Sequence, residues 1–199
     1  MHAYPHHLQS LIAAFKKLPG AGSKSAERYA FGMIEWDKEQ LHHFAELLAS
    51  IPEKIRFCEE CGCLAKENGC PFCTEVRKAS KVLCVIATPK EAYAIESTHS
   101  FSGTYHVLGG LISPLDGIGP EQIPFEKLFQ RIENLGVEEL ILALDSSVEG
   151  DATALYLKKE LSPLPLSISR LAFGLPMGSS LDYVDGGTLA KALQGRNKF

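Results

Sequence analysis

The sequence predicts an α+β chain of several parts: a helical hairpin, a compact cysteine module, and a C-terminal α/β domain with a mostly parallel sheet. Three observations predict it. Apolar residues recur at helical spacing on both sides of Pro19-Gly20-Ala21-Gly22. Two C-x2-C pairs follow. From Lys81 onward, continuous apolar runs of strand length alternate with amphipathic stretches, the pattern of a sheet buried by helices. The expected parts are residues 1–56, 57–74, 80–176 and a C-terminal segment, 177–199.

In the first part, Leu8, Leu11, Ile12, Phe15 and Leu18 share one helical face, as do Ala26, Tyr29, Ala30 and Met33. Pro19 has no N–H to donate and stops the first helix. Gly20 and Gly22 can take positive φ and let a large object approach the backbone. Ser23 is a good N-cap for the second helix. The hinge thus aims bare N–H groups outward, and Lys24 and Arg28, one turn apart, add full charge. Backbone plus Lys and Arg suits nucleic-acid phosphates read without sequence preference. The arrangement resembles the helix-hairpin-helix of DNA-binding proteins; an ordinary hairpin with solvated basic residues is the plainer alternative.

Asp37 with Gln40 matches a capping box and opens a third helix, with Leu41, Phe44, Ala45 and Leu48 on its buried face. Trp36 reads as a packing anchor, with base stacking as the other role open to it. Three short helices make a small core that would gain from pairing with a second copy.

Cys58, Cys61, Cys70 and Cys73 are spaced C-x2-C-x8-C-x2-C. Two such turns can close a tetrahedral shell of four sulfurs, so a structural zinc ion is expected. Gly62 and Gly69 allow the tight turns. An iron–sulfur cluster is the other metal reading. Two disulfides and a redox C-x-x-C are disfavoured by the absence of a secretory leader and of a preceding strand. Cys63 is a spare thiol and Cys84 a small core residue.

In the third part, Val82–Ile86, Tyr105–Leu108, Leu140–Leu144 and the region of Leu166, Ile168 and Leu171 are the expected strands. Thr88-Pro89-Lys90-Glu91 opens a helix with a cap, an N1 proline and an N3 glutamate. A second helix carries Phe125, Leu128, Phe129 and Ile132 and ends at Gly136, and a third starts near Asp151. Function collects at the carboxyl ends of parallel strands. Two loops stand out there, Leu111–Pro120 and the acidic Asp145–Asp151. No dinucleotide or P-loop glycine pattern lies in a strand-to-helix context.

The chain has 199 residues, a net charge of −4, 45% hydrophobic and 22% charged residues. This composition is ordinary for a globular protein and restricts any DNA contact to a local basic patch. No stretch approaches the length of a membrane span. A reducing, cytoplasmic setting is expected, without a membrane partner. His2, His6 and His7 read as an exposed lead-in, and the tail with Arg196 and Lys198 as a solvated end.

Taken together, Leu18–Gly20 through Arg28–Phe31, the four cysteines, Ser113–Pro120, Val148-Glu149-Gly150-Asp151 and Val184-Asp185-Gly186 are specific. On these residues the chain resembles the RecR family of bacterial recombination mediators over nearly its whole length. The resemblance implies a Toprim domain in the third part, a ring-like tetramer built from dimers and acting as a DNA clamp, nucleoid association, and RecO- and RecF-type partners. It matches Lys24 and Arg28 to the DNA-binding pair, the four cysteines to zinc ligands, and Glu149 to a partner-contacting acid.

Catalytic Toprim proteins place a glutamate after the first strand and Asp-x-Asp after a later one, to hold Mg²⁺. Here those positions are Ala87 and Asp145-Ser146-Ser147. Glu149 and Asp151 remain, but the defining pair is broken. A non-catalytic domain is expected, with Asp145, Glu149 and Asp151 as a docking surface for a basic partner. A Mg²⁺-dependent nuclease or primase-like enzyme is the alternative, and an adaptor whose hairpin binds protein is a third reading.

Overall fold

A computed structural model describes residues 4–172 and 174–196. His2 and Lys198 lie outside the described residues. The chain divides between Lys54 and Ile55 into two compact units.

The first unit holds three helices, α1 (His6–Phe15), α2 (Ser23–Ile34) and α3 (Lys38–Lys54). Helix α1 ends earlier than Pro19: Lys16 and Lys17 already form a turn, and Leu18 is exposed. A residue before proline is driven out of the helical region, so the last turn frays upstream of it. Ser23 is the first helical residue rather than the cap. Gly22, extended at φ −74°, takes the cap position, and no side chain among the described residues caps this N-terminus. Gly20 alone of the hinge pair has positive φ, +76°. Asp37 does cap α3: its Oδ1 accepts from the Gln40 N–H at 2.8 Å, and Gln40 Oε1 accepts from the Asp37 N–H at 3.1 Å.

The core of this unit is small. Ala26 and Ala30 are buried, and edge-to-face pairs Phe15–Tyr29 and Trp36–Phe44 lie at 5.9 and 5.6 Å. The expected buried face of α3 is open: Leu41, Ala45 and Leu48 are exposed and Phe44 is half-buried. Helix α3 buries none of its residues. Tyr29, Phe31, Ile34, Leu47 and Ile51 are exposed as well.

The second unit begins with a two-stranded antiparallel ribbon, β1 (Arg56–Phe57) and β2 (Leu64–Ala65), then a short helix, α4 (Glu75–Lys78). A four-stranded sheet follows: β3 (Val82–Ile86), β4 (Thr104–Val107), β5 (Glu139–Leu142) and β6 (Ser167–Arg170). Its order is β4-β3-β5-β6 and every pairing is parallel. The connecting helices are α5 (Pro89–Glu96), α6 (Phe125–Leu135) and α7 (Val148–Leu161), and α8 (Gly186–Gln194) closes the described chain.

Alternation along the strands gives the sheet two different faces. Leu83, Val85, Leu140 and Leu142 pack with Phe125, Leu128 and Ile132 of α6 and Ala154, Leu157 and Leu161 of α7. Cys84, Ile86, Tyr105 and Ala143 pack with Ala92 of α5 and with Cys61, Cys63 and Phe72. The cysteine module is therefore part of the second face rather than an appendage. The capping box at α5 is present, with the Thr88 N–H donating to Glu91 Oε2 at 3.3 Å, and the Ala87 N–H donates to the same oxygen at 2.8 Å. Gly136 ends α6 at φ +57°. Helix α7 starts at Val148, before the expected Asp151, because the Ser147 hydroxyl accepts from the Gly150 N–H at 3.1 Å and caps it. Leu171 lies beyond β6 and is exposed.

Candidate metal centre and nucleic-acid interface

The ribbon folds the first C-x2-C into a tight knuckle. The Cys58 N–H donates to the Cys63 carbonyl at 2.7 Å and the Gly62 N–H to the Cys58 carbonyl at 2.8 Å. Gly62 sits at φ +77°, and a Cβ there would stand 2.8 Å from the Val107 Cβ, so the turn needs glycine twice over. The Val107 N–H donates to the Cys61 carbonyl at 2.8 Å. This bond covers the outer edge of β4, which would otherwise be unpaired.

The four ligand sulfurs lie within 4.8 Å of one another. Cys61 and Cys70 are 3.5 Å apart and Cys58 and Cys73 are 3.9 Å apart. A tetrahedral ion with metal–sulfur bonds of about 2.3 Å separates its sulfurs by about 3.8 Å. The cluster therefore fits a single ion. As thiolates without a cation the group is poorly served. A hydrogen bond with Cys63 pushes the Cys61 thiol upward, one with Cys61 does the same to Cys73, and burial pushes Cys70 to about 11. Thiolates crowded in this way call for a cation. Cys63, the spare thiol, is fully buried and donates its N–H to Cys61 Sγ at 3.4 Å.

The hairpin presents its charge clear of its core. Ala26 and Ala30 face inward on α2 while Lys24 and Arg28 are exposed. Lys16 and Lys17, in the turn before the hinge, are exposed too. Sequence reasoning passed over these two, although a lysine pair just before Pro-Gly was the available signal. The hinge closes with the Ala21 N–H donating to the Leu18 carbonyl at 3.1 Å.

The acidic segment is not a loose loop. Asp145 is exposed after β5, while Glu149 and Asp151 lie in the first turn of α7, where the helix dipole favours carboxylates. A Cβ on Gly150 would meet the Asp145 carbonyl oxygen at 2.0 Å. Asp151 is tied down: Oδ1 pairs with Arg170 at 2.7 Å and Oδ2 with Lys191 of α8 at 3.3 Å. The Arg170 hydrogen bond holds its carboxyl below the ordinary aspartate range. Lys191 also donates to the Ser146 hydroxyl at 2.7 Å. The Ser113–Pro120 loop is anchored beneath by the Thr153 hydroxyl of α7, which accepts the Ile112 N–H at 2.9 Å.

Comparison with known proteins agrees with this layout. Residues 8–51 match the family described as RecR, helix-hairpin-helix, residues 81–172 match the Toprim domain, and residues 174–197 match RecR, C-terminal. Recombination protein RecR of Protochlamydia amoebophila is 53% identical over 98% of this chain and 99% of its own length. The chain belongs to the RecR family. The RecR proteins of Acidothermus cellulolyticus and of Chlamydia trachomatis serovar D are each 47% identical, over 98% and 100% of this chain and of their own lengths. A RecR-family role in recombination follows, on a helix-hairpin-helix unit and a Toprim domain, with a four-cysteine group able to hold a metal ion. No helix among the described residues is long and apolar enough to cross a membrane.

Proposed function

We propose that the chain is a non-catalytic DNA clamp and mediator of recombinational repair, acting in a RecFOR-type pathway in the cytoplasm at the nucleoid. The observation that carries the DNA contact is the placement of Lys24 and Arg28 on the exposed side of α2, one to two turns beyond the Gly20 hinge. The uncapped N-terminus at Gly22 adds backbone N–H groups to the same end. Contacts of this type recognise phosphate and carry no sequence information.

Self-association, from dimer to ring tetramer, accounts for the open apolar surface of the first unit. A single copy leaves Tyr29, Phe31, Ile34, Leu41, Leu47, Leu48 and Ile51 exposed, and a second copy is the simplest cover for so small a core. Several hairpins in one ring would raise the effective concentration of weak phosphate contacts.

The ion at Cys58, Cys61, Cys70 and Cys73 is zinc in this reading, held structurally by four protein ligands with no open position. An iron–sulfur cluster interposes irons and sulfides and would spread the cysteines wider than the spacing found.

The Toprim domain serves as a docking surface for RecO- and RecF-type partners through Asp145 and Glu149, with Asp151 bracing α7 and α8 behind them. Several observations speak against a Mg²⁺ enzyme. Ala87 stands at the first acid position, and the nearby Glu91 carboxylate is consumed by the Ala87 and Thr88 N–H groups. Ser147 is a helix cap. Among the described residues the acids do not converge as a metal-holding group, whereas the four cysteines do.

The test is fluorescence anisotropy of labelled gapped duplex across a salt series. Wild type should lose affinity steeply as salt rises, and the Lys24→Ala/Arg28→Ala double variant should bind weakly with a slope shallower by about two. Equal affinity and slope for the two proteins would remove DNA from the hairpin.

A further inference from the structure

Helix α6 is apolar on the face it turns to the sheet, with one exception. Arg131 is 7% exposed and shares that face with Leu128 and Ile132. A buried guanidinium needs compensating charge. Two groups meet it. One Nη lies 3.3 Å from Cys73 Sγ, and the other lies 3.4 Å from the Glu60 carboxylate. Glu60 is half exposed and also pairs with Lys78 at 3.4 Å, so its charge is shared and partly solvated. The Arg131 Nε is buried without a hydrogen-bond partner among the described residues. The nearby acid is thus a weak reason to bury this cation, and a stronger anion is wanted on the side of Cys73.

The metal centre supplies one. Four thiolates around one divalent ion leave a formal surplus of about two negative charges. Second-shell donors to ligand atoms fix their orientation and tune the metal. Cys61 has such a donor in the Cys63 N–H, from within the module. Cys73 has Arg131, from the Toprim helix across the β4 edge.

We propose that Arg131 is a positioning residue for the metal centre. Its guanidinium hydrogen-bonds the Cys73 thiolate, offsets part of the centre's negative charge, and makes retention of the ion depend on helix α6. The N–H···S bond draws electron density from Cys73, so this ligand is a weaker donor and a poorer nucleophile than it would be alone. This inference rests on the four cysteines binding a metal, and the experiment separates the two claims.

The probe is Co²⁺, and then Zn²⁺ under chelator competition, added to the full-length protein as wild type, Arg131→Met, Arg131→Lys and Glu60→Gln. Wild type should show the intense sulfur-to-cobalt charge-transfer band of a four-thiolate site. Loss of a hydrogen bond raises the energy of the sulfur lone pairs, so Arg131→Met should shift this band to longer wavelength. It should also bind Zn²⁺ about 10–100-fold more weakly, because losing the orienting bond and the offsetting charge outweighs the stronger thiolate donor. Arg131→Lys, which keeps the charge but not the planar fork, should fall between the two. Glu60→Gln should leave the band where it is. A band and chelator competition unchanged in Arg131→Met would overturn the proposal, even if that variant melted earlier, because packing alone would then explain the residue. Should Arg131→Met fail to fold, a band in Arg131→Lys identical to wild type would overturn it equally. A wild-type protein that binds neither ion would sink the metal reading itself, and this inference with it.

Discussion

The α-carbon of Gly150 lies against the carbonyl of Asp145 so closely that a Cβ would stand 2.0 Å from its oxygen. That contact is backbone to backbone, so neither side can swing away. It holds the end of β5 against the first turn of α7 and fixes where Asp145 and Glu149 emerge. Gly150→Ala should therefore force the segment apart at a cost of about 1–3 kcal/mol. Urea unfolding should show a lower midpoint, and Ser147→Ala, which removes the cap, should lose about 1 kcal/mol. Midpoints equal to wild type would show that the segment yields freely.

If the acidic turn is a docking surface, Glu149→Ala should weaken binding of a RecO-type partner at least about tenfold, the scale of one lost contact of about 1.4 kcal/mol. Binding of gapped DNA by the same variant should be unchanged, since Lys24 and Arg28 lie in the other unit. Titration with labelled partner and labelled DNA reads both. Partner affinity equal to wild type would remove Glu149 from the surface.

Removing the ion should be felt in the Toprim core. Phe72, between the last two ligands, packs edge-to-face on Tyr105 at 5.3 Å and on Tyr93 at 5.6 Å. Cys70→Ser should abolish the four-thiolate cobalt spectrum. A loss of about 3 kcal/mol would lower the melting temperature by roughly 6–12 °C. Calorimetry with and without chelator measures it, and a melting temperature indifferent to both would contradict a structural ion.

His106 gives the second unit a pH dependence. It is buried on β4, and burial, aided by Arg131 and Lys127, holds its pKa down to about 4 from 6.5. Between those values the unfolded chain binds a proton that the folded chain refuses. Stability from this group is thus complete above about pH 6.5 and falls as pH drops toward 4, by about 3 kcal/mol in all. His106→Phe should lose this pH dependence, so that the stability difference between wild type and variant changes across that window, whereas parallel curves would place the titration elsewhere.

The strands and the capped helices were legible because their signals are local. Val82–Ile86 is a strand as its apolar run predicts, and Thr88 and Glu91 close the predicted box. The cysteine cluster was legible for the same reason: spacing alone brings the sulfurs together. What spacing does not carry is the partner across the fold. Arg131 meets Cys73 from 58 positions away, and its only trace in the sequence is a charge on the apolar stripe of α6. Asp151 reads as a free acid until Arg170 and Lys191 are seen to hold it. The open face of α3 followed helical periodicity faithfully. Periodicity identifies an apolar face, not whether its cover is in the same chain.

The most direct measurement is a native gel of end-labelled gapped duplex incubated with Mg²⁺, followed by denaturing separation of the strands. Wild type should retard the duplex, the Lys24→Ala/Arg28→Ala variant should not, and every strand should remain full-length. Strands shortened or newly joined by the wild-type protein would contradict the non-catalytic clamp, and undiminished retardation by the variant would contradict the hairpin as its DNA contact.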